Sequence, residues 1–295
     1  MFTSEVMVRA WIFRKGDGVK FYIIAIVFIF AYSAQAEDKI SDLSYLPSKG
    51  VFVGKTALTF INSDISGSIS SVNLSVETEQ TKITQTFAYG MTSWLIWSVT
   101  TPMLINGKLT ERTGGFVVNS SLEAGLERSI FGLTAHHSAN NNLTGIYTVQ
   151  FREQGAFSAG TTALTYGLRY KSNLRSALFR VSFASFTESA ALEKFRVYSG
   201  ELTSQFENTA GFFIRPSLII SYESDTEFKN IDLTLSNEVR LTPSLSFGQE
   251  LKGSHFYWLV GAAYGYASLD IFTSSDIGTG DSTSLSLNTE FGFRF

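Results

Sequence analysis

The segment Ser282–Phe295 (STSLSLNTEFGFRF) alternates strictly. Leu285, Leu287, Phe291, Phe293 and Phe295 share one face, with Thr289 as its one polar member. Ser284, Ser286, Asn288, Glu290, Gly292 and Arg294 share the other. Side chains alternate sides along a strand, so the pattern predicts one extended strand with an apolar and a polar face. A soluble protein seldom leaves such an edge at its terminus. A closed barrel in lipid pairs both edges of every strand and demands an apolar outside.

The same alternation recurs upstream. It runs through Leu95–Met103, Phe116–Leu126, Ile130–Ser138, Leu143–Phe151, Thr162–Tyr170, Ala177–Phe183, Phe212–Tyr222, Ile231–Leu241 and, more weakly, Phe256–Tyr266. A two-sheet sandwich would also alternate. These runs reach ~10 residues, longer than ordinary globular strands and close to what a tilted barrel strand needs. One face carries Phe, Leu, Val, Ile and Tyr with essentially no charge. The other carries Ser, Thr, Gly, Asn, Glu and Arg, as a water-facing lumen would.

Residues 1–36 read as a cleaved secretory signal. Arg9, Arg14, Lys15 and Lys20 precede an apolar run, Phe21–Tyr32, and Ala34-Gln35-Ala36 forms a small-residue cleavage site. The run is too short to span a bilayer as a helix. Glu37–Gly50 reads as a polar periplasmic tail or a short plug, and 51–295 as a single barrel domain.

Composition narrows the classes. No Cys among 295 residues excludes a disulfide framework and thiol chemistry, and three His are too few to argue a His-built metal site. A net charge of −3 argues against a nucleic-acid footprint. Four Pro against 26 Phe and 12 Tyr suits strands. No cofactor is implied.

Short turns are expected at Met91–Ser93, Lys171–Asn173 and Thr242–Ser244. Longer polar connectors are expected at Ile105–Thr113, Ala139–Asn142, Thr187–Glu193, Glu223–Asn230 and Ile271–Asp281. Gly278-Thr279-Gly280-Asp281 reads as a loop tip, since it lacks the strand-to-helix setting of a phosphate loop. Tyr89, Trp94, Trp97, Tyr170 and Trp258 stand where an interfacial girdle would. The expected architecture is an all-β, antiparallel, up-and-down transmembrane barrel of about 12 strands, within a range of ~12–14.

The ending of the chain resembles the C-terminal strand of Gram-negative outer-membrane barrels. That resemblance implies recognition of the strand by the barrel assembly machinery. Phe87–Leu104 (FAYGMTSWLIWSVTTPML) is similar to a hairpin in the meta-pathway phenol-degradation family of outer-membrane barrels, and Val239–Phe247 and Leu168–Phe179 share its strand–turn–strand style. The resemblance implies transport of small aromatic compounds and carries no catalytic residues with it.

Candidate lumen residues are Glu123, Arg152, Arg169, Arg180, Arg215, Glu238, Arg240, Glu250, Glu290 and Arg294. As a pore lining they would bias which solutes pass. As cross-lumen ion pairs they would fill a narrow barrel. His136-His137-Ser138 resembles the His-x-Ser motif of outer-membrane phospholipase A and lipid A deacylase, in which His activates a Ser nucleophile on the lipid-facing wall. Strand parity instead puts His136 and Ser138 with Gly132 and Thr134 on the polar face. The expected function is a channel or transporter for small, hydrophobic or aromatic solutes in the outer membrane of a Gram-negative bacterium, with surrounding lipid as a partner. A lipid hydrolase and a structural or adhesion barrel are the alternatives.

Overall fold

The computed structural model describes residues 39–69, 72–138, 142–154, 159–172, 174–187, 194–227, 234–251, 255–273 and 276–295. The expected leader, 1–36, lies outside the described residues, as does most of the expected connector at Thr187–Glu193. Among the described residues no helix is long and apolar enough to cross a membrane. The regular elements among the described residues are strands: β1 (Phe52–Ile69), β2 (Val72–Gly90), β3 (Leu95–Thr113), β4 (Phe116–Leu122), β5 (Gly125–Leu126), β6 (Ile130–Ser138), β7 (Leu143–Arg152), β8 (Thr161–Lys171), β9 (Arg175–Phe186), β10 (Phe195–Glu207), β11 (Phe212–Glu223), β12 (Thr226–Glu227), β13 (Thr234–Leu251), β14 (Phe256–Phe272) and β15 (Ile277–Arg294).

Each stave pairs antiparallel with its neighbours, and β15 pairs with β1, so the sheet closes. β4, β5 and β6 are successive pieces of one stave laid along β3. β12 is a short pairing at the top of β13. The barrel therefore has twelve staves. Closure satisfies the backbone groups of every stave, which is the condition for lying in lipid.

The outward faces are apolar at mid-height. Phe60, Leu133, Leu164, Val181, Leu202, Ile220, Leu245, Val260 and Leu287 are all exposed. Tyr89, Trp94, Trp97 and Tyr170 ring the end where β2 passes to β3 and β8 to β9. In barrels of this class the short-turn end faces the periplasm, and the aromatic ring marks the interface. That end is called the inner end here.

The wall has two heights. β7 to β11 are 10 to 13 residues long, β1 to β3 and β13 to β15 are 17 to 19, and the broken stave β4–β6 joins the two sides. The tall side rises past the apolar band. There its outward face turns polar: Asn62 stands beside Glu79, Asp64 beside Glu77, and Ser66 beside Asp281.

This height difference overturns several expected connectors. Ile105–Thr113 belongs to β3. Thr242-Pro243-Ser244 lies inside β13, where Pro243 faces Leu218 of β11. Gly278–Asp281 is strand, paired with Ile271–Ser268 of β14. Above the hydrocarbon the outer face meets water while Ile69, Leu269 and Ile271 pack on the inner face, so the apolar-out alternation is lost although the backbone ladder continues. The true tip of the tall β3–β4 hairpin is Gly114-Gly115, with φ of +54° and +93°. A two-residue hairpin turn of this kind needs positive φ at both positions, which glycine adopts without strain.

Candidate functional site in the lumen

Inward parity assigns the mid-height lumen to small side chains. Ser98, Thr134, Thr165, Ser182, Ser246 and Ser286 are all half-buried, interleaved with Gly132, Gly261 and Gly265. Neighbouring staves link hydroxyls across the strand gap, as in Thr86–Thr100, Thr134–Thr148 and Thr165–Ser182, each at 3.0 Å. These groups lie flat against the wall instead of reaching across the axis. Long charged side chains gather at the two ends of the lumen.

At the inner end, residues 39–50 lie against the barrel wall. Asp42 N–H donates to the Lys39 carbonyl (2.9 Å), and the Asp42 carboxylate accepts from Lys39 N–H (2.7 Å), closing a compact turn. Ser44 sits at φ +50°, a conformation that favours glycine. Ile40 packs with Val53, Phe213, Tyr257 and Leu259. Leu43 and Leu46 pack with Ile96, Ile146 and Leu178. The chain then leaves along Gly90, where Gly50 N–H donates to the Gly90 carbonyl at 2.8 Å. A side chain at position 90 would collide with the Ser48 carbonyl.

The wall meets this segment with charge. Arg169, 2% exposed, donates to the carbonyls of Leu43 (3.3 Å) and Ser44 (3.4 Å). Arg215 donates to the Ser41 carbonyl (2.8 Å) and to Gln205 (2.7 Å). Arg180 bridges Ser44 Oγ and Glu201. Lys171 pairs with Asp42, Lys39 with Glu207, and Glu250 accepts from Ser41 N–H and Oγ. Beside these, Glu290 accepts from Tyr257 and lies 3.8 Å from Lys55. A buried cation needs acceptors near it, and backbone carbonyls supply much of that here.

The expected lumen residues therefore divide. Arg169, Arg180, Arg215, Glu250 and Glu290 gather at the inner end. Glu238 and Arg240 pair with each other near the outer end, at a register break in β13, where Arg240 also reaches Ser282 at 2.8 Å. Arg152 stands apart at the outer end of β7, bonded to the Ala159 carbonyl (3.0 Å) and 4.0 Å from Glu127. Arg294 sits at the inner rim against His255. Glu123 is exposed in the break between β4 and β5 and joins neither group. Arg152 is thus separated by height from Arg169 and Arg180, although the three lie on consecutive staves.

Several site residues escape a reading by polarity. Val53, Ile96, Ile146, Leu178, Phe213 and Leu259 are apolar yet point inward. Their signal was present as out-of-phase apolar residues near one end of their strands. Ile40, Leu43 and Leu46 of the segment are the matching set.

His136 pairs with Ile146 and Ser138 with Thr144, both buried on the inward face. The His-x-Ser pair therefore does not face lipid. Among the described residues no cluster of three or more acidic or His side chains is placed to hold a metal ion.

No family model matches the chain, and no curated protein matches it. Solved structures do. The COG4313 outer membrane channel from Pseudomonas putida F1 aligns with a TM-score of 0.58 at 11% identity, over 88% of this chain and 100% of that one. A FadL homologue of Pseudomonas aeruginosa aligns with a TM-score of 0.45 at 8% identity, over 82% and 90% of the two chains. The CymD monoaromatic hydrocarbon channel aligns at 0.42 and 10%, over 84% and 89%. At such identities the first of these likenesses speaks for fold alone: this chain has the fold of a Gram-negative outer-membrane β-barrel.

Proposed function

We propose that the protein is an outer-membrane channel for small, hydrophobic or aromatic solutes, closed at its inner end by residues 39–50. The observation that carries this reading is the mid-height lumen. Its small hydroxyl residues stay half-buried and alternate with buried glycines that add no bulk, which suits a path and not a salt-bridged filling. Charged groups concentrate where the segment docks, so Arg169, Arg180, Arg215 and Glu290 line a closure, while Glu238 and Arg240 flank the outer mouth. The inward apolar residues beneath the segment offer greasy surface to a solute that replaces it.

Two likenesses support this reading, the first for a channel and the second for the solute class. The structure from Pseudomonas putida is by its name an outer membrane channel. The hairpin at Phe87–Leu104 is similar to one in the meta-pathway phenol-degradation family of transporters. The surrounding lipid and the barrel assembly machinery, through the final strand, are the partners this reading requires. A lipid hydrolase at His136 and Ser138 is disfavoured, because an acyl chain in the membrane would meet the opposite face of β6.

The deciding experiment is conductance of the purified barrel in a planar bilayer, compared with a variant lacking residues 39–48. Low conductance in the parent and a severalfold rise in the variant are expected. A variant that remains folded and silent would overturn the channel reading.

A further inference from the structure

The wall behind the segment has two kinds of surface side by side, and the register explains why. Ile146 of β7, Gly167 of β8 and Arg180 of β9 are direct neighbours, as are Thr144, Arg169 and Leu178 one step below. The missing side chain of Gly167 leaves a shallow hollow between Ile146, Leu178 and the stem of Arg180. Arg169, Lys171 and Arg180 form a cationic half. Ile96, Ile146 and Leu178 form an apolar half.

The segment fills both halves with matching chemistry. Its Asp42 carboxylate meets Lys171. Its Leu43 and Ser44 carbonyls meet Arg169, and its Ser44 hydroxyl meets Arg180. Its Leu43 and Leu46 side chains cover the apolar half. Anionic and carbonyl oxygens next to a compact greasy body are also the features of a small organic carboxylate.

We infer that this wall is a binding site for small monocarboxylates with an apolar or aromatic body, and that residues 42–46 occupy it as a competing mimic. The inference rests on the channel reading for its purpose and narrows the solute class. Arg180 is already shared with Glu201 at 3.1 Å, so Arg169 and Lys171 carry the charge recognition. A neutral analogue would satisfy the apolar half and bring no carboxylate to those cations. A site built for a polar group rejects the analogue lacking it far more strongly than a greasy pocket rejects a size change. Because the segment holds the site, apparent solute affinity is lowered by the fraction of barrels in which the segment is docked.

The test is calorimetric binding of benzoate, with benzyl alcohol as the neutral probe, to the full chain folded in detergent. Three proteins are compared: the parent, Asp42→Asn, and the double variant Arg169→Gln with Lys171→Gln. Benzoate is expected to bind Asp42→Asn roughly tenfold more tightly than the parent, since the mimic is weakened and the wall is intact. The double variant is expected to lose benzoate at least about tenfold, and benzyl alcohol to bind at least about tenfold more weakly than benzoate to the parent and to Asp42→Asn. Equal binding of the two probes, or no gain in Asp42→Asn, would overturn the site. Should the double variant not fold, the Asp42→Asn and benzyl alcohol comparisons still decide. Binding is read without a membrane, so a silent barrel would sink the channel reading alone, and indifference to the carboxylate would sink the site alone.

Discussion

The Lys171 ammonium on β8 is paired with the Asp42 carboxylate, 129 positions earlier in the chain. The Asp42 side chain is 5% exposed and that of Lys171 28%, so water screens the pair little. The pair ties residues 39–50 to the short wall of the barrel, beside the carbonyl contacts of Arg169 and Arg215. Removing one side of a part-buried pair costs more than breaking an exposed one, because less water replaces the lost partner.

Asp42→Asn should therefore loosen the segment without disturbing the staves. A loss of about 1–2 kcal/mol of docking energy shifts the docked population roughly tenfold. In a planar bilayer the variant should show longer and more frequent open events than the parent. An unchanged trace would mean that the pair does not hold the closure.

Gly90→Val tests the same docking from the opposite side. The added side chain would meet the Ser48 carbonyl, which is backbone and has little room to retreat. Displacement should cost about 1–3 kcal/mol, the usual penalty of overpacking. Trypsin should then cut after Lys49 at least several times faster in the folded variant. Thermal unfolding of the barrel should stay within a few degrees of the parent.

Leu287→Arg and Ser286→Arg are adjacent substitutions with opposite expectations. Leu287 is 50% exposed on the apolar outer face, and Ser286 faces the lumen. A cation on the lipid face near mid-depth destabilises a barrel by about 2–4 kcal/mol. The lumen variant should lose much less stability. Urea unfolding in lipid vesicles measures both, and equal losses would refute the assigned faces.

β13 offers a test of strand continuity through Pro243. The chain has no cysteine, so single cysteines can be placed at 241 to 246 and labelled in intact membranes with a polar thiol reagent. Labelling should alternate, strong at Thr242, Ser244 and Ser246 and weak at Leu241 and Leu245. Uniform labelling across 242–244 would restore the turn that the sequence pattern suggested.

Legibility in the sequence followed the membrane. Where a stave crosses hydrocarbon, as in Leu285–Phe295 or Ile214–Tyr222, one face must be apolar and the other wet, and period 2 is plain. Where the same stave stands in water, as in Asn106–Thr113 or Ile277–Asp281, the constraint on the outer face disappears and strand resembles loop. Proline misled in the same direction. Pro243 removes one donor from the ladder, which a barrel stave tolerates when its neighbours carry the register.

The candidate site divided along a similar line. Arg169, Arg180, Arg215 and Glu290 were visible as charges on inward positions. Their grouping was not, because height in a barrel depends on the stagger between staves as well as on position along each one. Arg152 shares a face with Arg169 but lies at the other end of the lumen. The inward apolar set, Ile96, Ile146 and Leu178, was hidden because it breaks the polar-in rule, and its reason is a segment from a distant part of the chain.

By itself the sequence determined the class, since strict alternation with an uncharged face has few homes other than a closed sheet in lipid. It also determined which side chains turn inward, because parity along a strand is a local property. The tertiary structure alone decided that twelve staves close through β1 and β15, that one wall stands taller than the other, and that Asp42 meets Lys171. Those depend on register and on long-range docking, where the energies of many weak contacts are summed across the whole barrel and no short stretch of chain records the result.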